Sequence, residues 1–405
     1  MKFNEKFSTA MAIAVAASMA LAGTALADGD REVVTFFSQD AGNGAVEALI
    51  EAYEAAQDKY EINWVVAPKD TTEVKTMLNT ALAAGSTEYD VVRIDTVWTG
   101  DMAGAGYLDA LDQNLMADGL SPANFNPGSI QAGTYNAKTY AIPLYPDCGL
   151  LYFRSDIVSE EDAATLRSGD YTFEDLLAMA EKYAGEGGTK YGLAIQAAQY
   201  EGLVCNANEW TSNFTDISHG LELMKQACDA DYTPDDILVY KESNGNDAMA
   251  NGDVVFQRNW PSAWGTLTEE TNVHPDQVDI GCLPGGACIG GWEVAINSKS
   301  EHKEGAWDFM KFATTGEGQV IFDKVGGYIP GYLENMTNEE ILASHPILSR
   351  EGTQNSLNHT IARPSPSQYA ELSDALQISI HKYLSGETDL DSTAAEVEQL
   401  LKDYE

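Results

Sequence analysis

The 405-residue sequence predicts an α/β protein built as two lobes. Three observations lead there. A single hydrophobic core stops growing beyond about 250–300 residues, so a chain of this length divides. From residue 32 the apolar pattern alternates between runs of strand length and helical spacing. Hydrophobic residues make up 44%, and the 35 Gly and 13 Pro follow no repeat, which excludes disordered and collagen-like chains.

Residues 1–27 read as a secretory signal peptide ahead of the fold. Lys2 and Lys6 give a basic start, Thr9 to Leu21 is small and apolar, and Ala25-Leu26-Ala27 supplies a small-x-small cleavage pattern before Asp28. With no Cys near that point, a freely diffusing periplasmic protein is expected rather than a lipid-anchored one. Val33 to Phe37 then reads as a strand, and Val46, Leu49, Ile50 and Tyr53 lie on one helical face. Ile62 to Val66 is a second strand; Val74, Met77, Leu78, Ala81 and Leu82 mark a second helix, and Val91 to Ile94 is a third strand. Three such units predict a mainly parallel sheet, with ligand expected at the carboxyl ends of its strands.

Residues 113–139 are polar and rich in Gly, Asn and Pro, and read as a long connection. The aromatic run 140–154 suits an extended segment between lobes. A helix is expected after Thr172, where Thr172 and Asp175 fit a capping box. Residues 229–251 read as loop, 254–260 and 292–296 as strands, 303–312 as a helix, and the C-terminus as a helix with Val397, Leu400, Leu401 and Tyr404 on one face.

Sixty-three acidic against 23 basic side chains give a net charge of −40. No basic face is available to track phosphates, which excludes a nucleic-acid binder. Removing the signal peptide takes away two Lys and one Glu, leaving the charge one unit more negative; self-repulsion at that charge is relieved by salt. After residue 30 no apolar run is long enough to cross a bilayer. The five cysteines, Cys148, Cys205, Cys228, Cys282 and Cys288, do not have zinc-knuckle spacing, and the six His are scattered, so neither metal nor cofactor is expected. Cys282 with Cys288, and then Cys205 with Cys228, are the first disulfide pairings to consider.

Trp98, Trp210, Trp260, Trp264 and Trp292 lie in turn-like or strand-end contexts. An aromatic face suits the axial C–H groups of a pyranose, while carboxylates and amides bridge its hydroxyls. Core packing is the simpler role for Trp64, Trp98, Trp210, Trp264 and Trp307. Trp260, followed by Pro261, and Trp292, preceded by Gly290 and Gly291, sit at chain breaks that lift a ring out of a regular element. Asp95 closes a strand at its ligand-facing end, and Asp147 lies beside Tyr145 in the inter-lobe run. No Gly-x-Ser-x-Gly, P-loop or Rossmann pattern and no nucleophile–base set is present. A secreted glycan-active enzyme using a carboxylate pair is the alternative class of function.

With these residues assembled, the chain resembles the sugar-binding proteins of ABC transporters, in particular the trehalose/maltose-binding branch of the family 1 solute-binding proteins. The resemblance runs from about residue 33 to 404 and is carried by stretches 90–112, 140–158, 199–210, 256–265, 289–312 and 362–373. It implies two lobes of the periplasmic-binding-protein fold, residues 28–143 plus 289–335 and 144–288 plus 336–405, joined by hinge segments that close on a ligand. The implied partners are a small carbohydrate and the membrane permease subunits of the transporter, with a monomeric protein and no catalysis. By the same resemblance, Asp95 and Asp147 accept from hydroxyls, Tyr145 and Trp260 contact sugar rings, and Trp292 stacks. Gly290 and Gly291 allow close backbone approach, and Arg363 donates. Two departures fall in the first lobe: Asp40 and Asn43 lie in a turn where the family pattern has a Glu, and Lys75 stands where it has an Arg. Cys148 replaces a usually small residue. The implied ligand is therefore a small sugar such as an α-glucoside, trehalose or maltose, or another sugar, a polyol or a glycosylated osmolyte.

Overall fold

The computed structural model describes residues 31–40, 44–68 and 71–404. The expected signal peptide, residues 1–27, therefore lies outside the described residues. Two sheets form the frame, and each has helices on both faces. The strands in chain order are β1 (Glu32–Gln39), β2 (Tyr60–Ala67), β3 (Val91–Asp95), β4 (Thr134–Tyr135), β5 (Lys138–Thr139), β6 (Ala141–Cys148), β7 (Leu150–Arg154), β8 (Tyr191–Ala194), β9 (Val254–Asn259), β10 (Val278–Gly281), β11 (Ala287–Ile296) and β12 (Thr360–Ile361). The first sheet runs β12-β11-β3-β1-β2, with β6 also paired to β11, and the second runs β10-β7-β9-β8. β4 and β5 make a separate small hairpin.

Alternation along the strands explains why both faces are covered. On β7, Leu151 and Phe153 enter one apolar cluster while Leu150 and Tyr152 enter another. On β1, Val34 and Phe36 pack to one side and Phe37 to the other. The three βα units are found, with β1 parallel to both β2 and β3. Elsewhere the sheets are mixed rather than mainly parallel. β11 runs antiparallel to β3 and β6, and β7 runs antiparallel to β9 and β10. These strands enter from the opposite sheet rather than from a helical crossover, so the parallel-connection rule does not govern them.

Two stretches expected as loops are structured. Residues 113–139 hold the helices Asp112–Ala117 and Pro127–Ala132, the latter opened by Asn126, whose side chain accepts from the Ser129 amide. Residues 229–251 hold the helix Glu242–Asn251, closed by Gly252 at φ 81°. The expected capping box at Thr172 and Asp175 is present.

Consecutive strands cross from one sheet to the other at two places. β6 leads into β7 through Gly149 alone, and β10 leads into β11 through residues 282–286. Gly149 has no room for a side chain. A Cβ there would lie 2.0 Å from Glu209 Oε1 and 2.6 Å from Arg258 Nη2.

Candidate functional site

Register places the candidate residues together. Trp292 on β11 is paired with Asp95 on one side and Tyr145 on the other, and Gly290 is paired with Asp147. Laterally paired residues share a sheet face, so these five project from the same face in two adjacent rows. Asp95, Asp147, Gly290 and Trp292 border a cavity of about 230 Å³ that is lined also by Trp260, Gly291, Arg363, Tyr200, Glu201, Cys205, Glu242 and Ser262. A second cavity of about 660 Å³ shares Asp147, Ser262 and Trp292 and continues past Tyr145, Trp264 and Tyr328.

The two glycines are required by contact. At Gly290 a Cβ would meet the Trp260 ring at 3.0 Å; Gly291, at φ 110°, would bring one within 2.4 Å of the Tyr145 carbonyl oxygen. Backbone thus closes directly on the Trp260 ring edge.

Each candidate Trp is backed by a buried arginine. The Arg258 guanidinium lies 4.2 Å from the Trp260 ring centre, and that of Arg93 lies 4.3 Å from the Trp292 ring centre. Arg258 is clamped by Glu209, with bonds of 2.9 and 2.6 Å, and both side chains are buried. Arg93 donates to the Tyr145 hydroxyl at 2.7 Å, and Tyr145 stacks on Tyr328 with ring centres 4.0 Å apart. Trp98 adds an edge contact to Trp292 at 5.8 Å. The indoles are therefore braced by buried cations while both line the cavity.

The polar groups are unevenly satisfied. Asp95 Oδ1 accepts from the Val97 amide at 3.1 Å, and Asp147 Oδ1 accepts from the Cys148 amide at 3.0 Å. Burial pushes both carboxyls up, Asp95 against the opposing pull of the Arg363 charge, and Asp147 to about 7. Arg363 donates to Glu201 and to the Ile289 carbonyl, while its Nε has no partner. That buried donor is left for an acceptor from elsewhere.

Not every expected residue arrives here. Lys75 bonds Asp101 at 2.7 Å, and the other Asp101 oxygen accepts from the Tyr369 amide at 3.0 Å, so Lys75 ties two elements together away from the cavity lining. Asp40 is half-buried just beyond β1 and is not among the residues lining either cavity. Asn43 lies outside the described residues. Trp264, expected in the core, lines the larger cavity, whereas Trp210 stacks on Phe173 at 4.2 Å inside the core as expected. Neither first-considered cysteine pair forms a bridge, and all five thiols are free. Among the described residues no group of three or more His, Cys, Asp or Glu is arranged to hold a metal ion. No described helix is long and apolar enough to cross a membrane.

The sequence reading passed over Tyr200, Glu201, Glu242 and the pair Arg258–Glu209. The signal for Glu201 is an acid opening the amphipathic run 201–210, whose face turns to a cleft. For Arg258 it is a charge inside the otherwise apolar strand β9.

Comparison with known proteins follows the same outline. Residues 48–348 match the family model described as bacterial extracellular solute-binding protein. The chain belongs to that family. This solute-binding protein is 26% identical over 410 residues to a probable ABC transporter-binding protein of Deinococcus radiodurans, covering 94% of each chain. It is similar in structure to maltose-bound T. maritima MalE3, with a TM-score of 0.75, 26% identity, and 91% and 99% of the two chains covered. The sugar-binding protein MalE of Xanthomonas citri has a TM-score of 0.77 at 17% identity, covering 92% and 98%, and bears on the fold alone. The two-lobed α/β fold is that of periplasmic binding proteins.

Proposed function

We propose that this protein is the extracellular sugar receptor of an ABC importer. It captures a small saccharide, such as an α-glucoside, maltose or trehalose, between lobes 28–143 plus 289–335 and 144–288 plus 336–405, and hands it to the membrane permease as a monomer. Export follows cleavage before Asp28. The observation that carries the reading is the pairing, on one cavity, of two arginine-backed indoles with the carboxylates Asp95 and Asp147. Ring faces suit the apolar side of a pyranose, and the carboxylates suit its hydroxyls. The maltose bound to T. maritima MalE3 supports the same ligand class.

Within this reading, Tyr145 is held by Arg93 and Tyr328 as a second ring surface, and Arg363 offers its unpartnered Nε to a ligand oxygen. The resemblance also assigns Asp40, Asn43 and Lys75 to this site as first-lobe contacts.

A thermal-shift panel of maltose, trehalose, maltotriose, glucose and a polyol tests the proposal, followed by calorimetry on each hit. Ligand at 100 times its dissociation constant stabilises by about 2.7 kcal/mol, which raises the melting point by roughly 2–4 °C. No shift with any saccharide, or recovery of a cleaved sugar after incubation, overturns it.

A further inference from the structure

Two thiols meet beside the ligand cavity. Cys205 lies on the helix Glu201–Trp210 and lines the cavity, while Cys288 lies on β11, two residues before Gly290. The Cys288 side chain is the largest influence on the Cys205 thiol. The backbone around them fixes the same juxtaposition independently. Glu209 stands one turn after Cys205, on the same helix face, and its carboxylate accepts the Cys288 amide at 3.0 Å. Arg363 Nη2 holds the neighbouring Ile289 carbonyl at 3.1 Å.

Register separates Cys148 from this pair. Ile289 is paired with Cys148, so Cys148 shares the face of Ile289 and points away from Cys288, into the cluster that holds Tyr152 and Ile280. Cys282 lies against Gly169, and Cys228 belongs to the separate helix Ile217–Asp229.

We propose that Cys205 and Cys288 form a disulfide that ties the Glu201–Trp210 helix to the strand carrying Gly290, Gly291 and Trp292. An extracellular protein meets the oxidant this needs, an external disulfide. One cysteine thiolate attacks that disulfide, forming a mixed disulfide and releasing one thiol. The second cysteine then displaces the other half. Both cysteine protons are lost, the two cysteine sulfurs are oxidised, and two external thiols are the reduced products. The neighbouring Cys288 and then burial push the Cys205 thiol up in the folded protein, so exchange runs while the chain is folding and its thiols are still accessible. The bridge closes a loop of about 80 residues, long enough to restrict the unfolded chain strongly. It also fixes the distance across the cavity between Glu201 and the β11 glycines, whichever ligand the cavity takes.

Thiol counting on the full chain tests this. Protein refolded in a glutathione redox buffer is denatured, alkylated and weighed. Three of the five cysteines should be labelled, and all five after prior reduction. Peptide mapping should recover the Cys205 and Cys288 peptides as one linked species. Cys205→Ser and Cys288→Ser should each label at all four remaining cysteines. Five labels on the refolded parent protein, or a link joining any other pair, overturns the proposal; since the parent protein decides, failure of a variant to fold changes nothing.

Discussion

Asp147 carries the clearest pH signature in the site. Burial raises it to about 7, so between the ordinary carboxylate range and pH 7 the folded protein holds a proton that the unfolded chain has lost. Its contribution to stability is thus fully present below about pH 4 and is lost as pH rises through 7. Ligand binding should run the other way. A sugar hydroxyl donating to Asp147 favours the ionised form, so affinity should fall by up to about tenfold per unit as pH drops below 7. Calorimetry from pH 5 to 8 checks this, and a flat profile counts against Asp147 as an acceptor. For the rings, Trp260→Ala and Trp292→Ala should each lose about 1.5–3 kcal/mol of binding, roughly 10- to 150-fold, with circular dichroism unchanged. Asp95→Ala should lose a comparable amount, but most for sugars whose hydroxyl orientation matches the native ligand, which an epimer series reads out. The Trp and Asp positions were legible because chain breaks and strand ends mark them. Glu242, which accepts from the Trp260 indole at 3.4 Å, and Tyr200 were not, because their cavity wall forms only when separate helices pack.

At the scale of elements, strands and long amphipathic helices follow from periodicity alone. β1, β2 and β3 fall where the apolar runs put them, as does the helix Phe173–Tyr183 with its cap. Short helices such as Asp112–Ala117 escape notice because two turns of mostly polar sequence carry no periodic signal, and their stability comes from tertiary contacts. The mixed pairing escapes too, since nothing local tells β3 that its neighbour arrives from residues 287–296. The passage between sheets at Gly149 has a direct test. Gly149→Ala drives a methyl group into the Glu209–Arg258 pair, which is buried and bonded at 2.6 Å. Overpacking of this kind costs about 1–3 kcal/mol, and more if the ion pair separates. Urea denaturation should show the midpoint falling with the slope unchanged. Glu209→Gln should also release the arginine behind Trp260, weakening both stability and ligand binding. An unaltered midpoint in either variant removes the pair as a structural anchor.

For the whole molecule, a ligand touching both lobes stabilises only their closed arrangement. Small-angle scattering with and without the cognate sugar should record a smaller radius of gyration in its presence; superimposable profiles at saturation contradict closure. The charge of −40 acts at the same scale. Mutual repulsion among surface carboxylates is screened over about 10 Å in 0.1 M salt and about 3 Å in 1 M salt, so the melting temperature should climb with sodium chloride over that range.

The route of β11 sets the order in which this protein can assemble. Its pairing with Asp95 on β3 spans nearly half the chain, and the strand sits between β3, β6 and β12 rather than at a free edge. Until residues 287–296 emerge from the ribosome, β3 has an unpaired side, and the β6 face that will meet β11 is open. A nascent chain therefore reaches considerable length with its first sheet unfinished, the circumstance in which non-local pairing delays folding. For a polypeptide that must be threaded through a membrane before it works, that delay is an advantage, because the chain stays pliable until its last third is made. A version ending at residue 286 should accordingly melt without a cooperative transition, although it keeps β1, β2 and β3 intact in sequence.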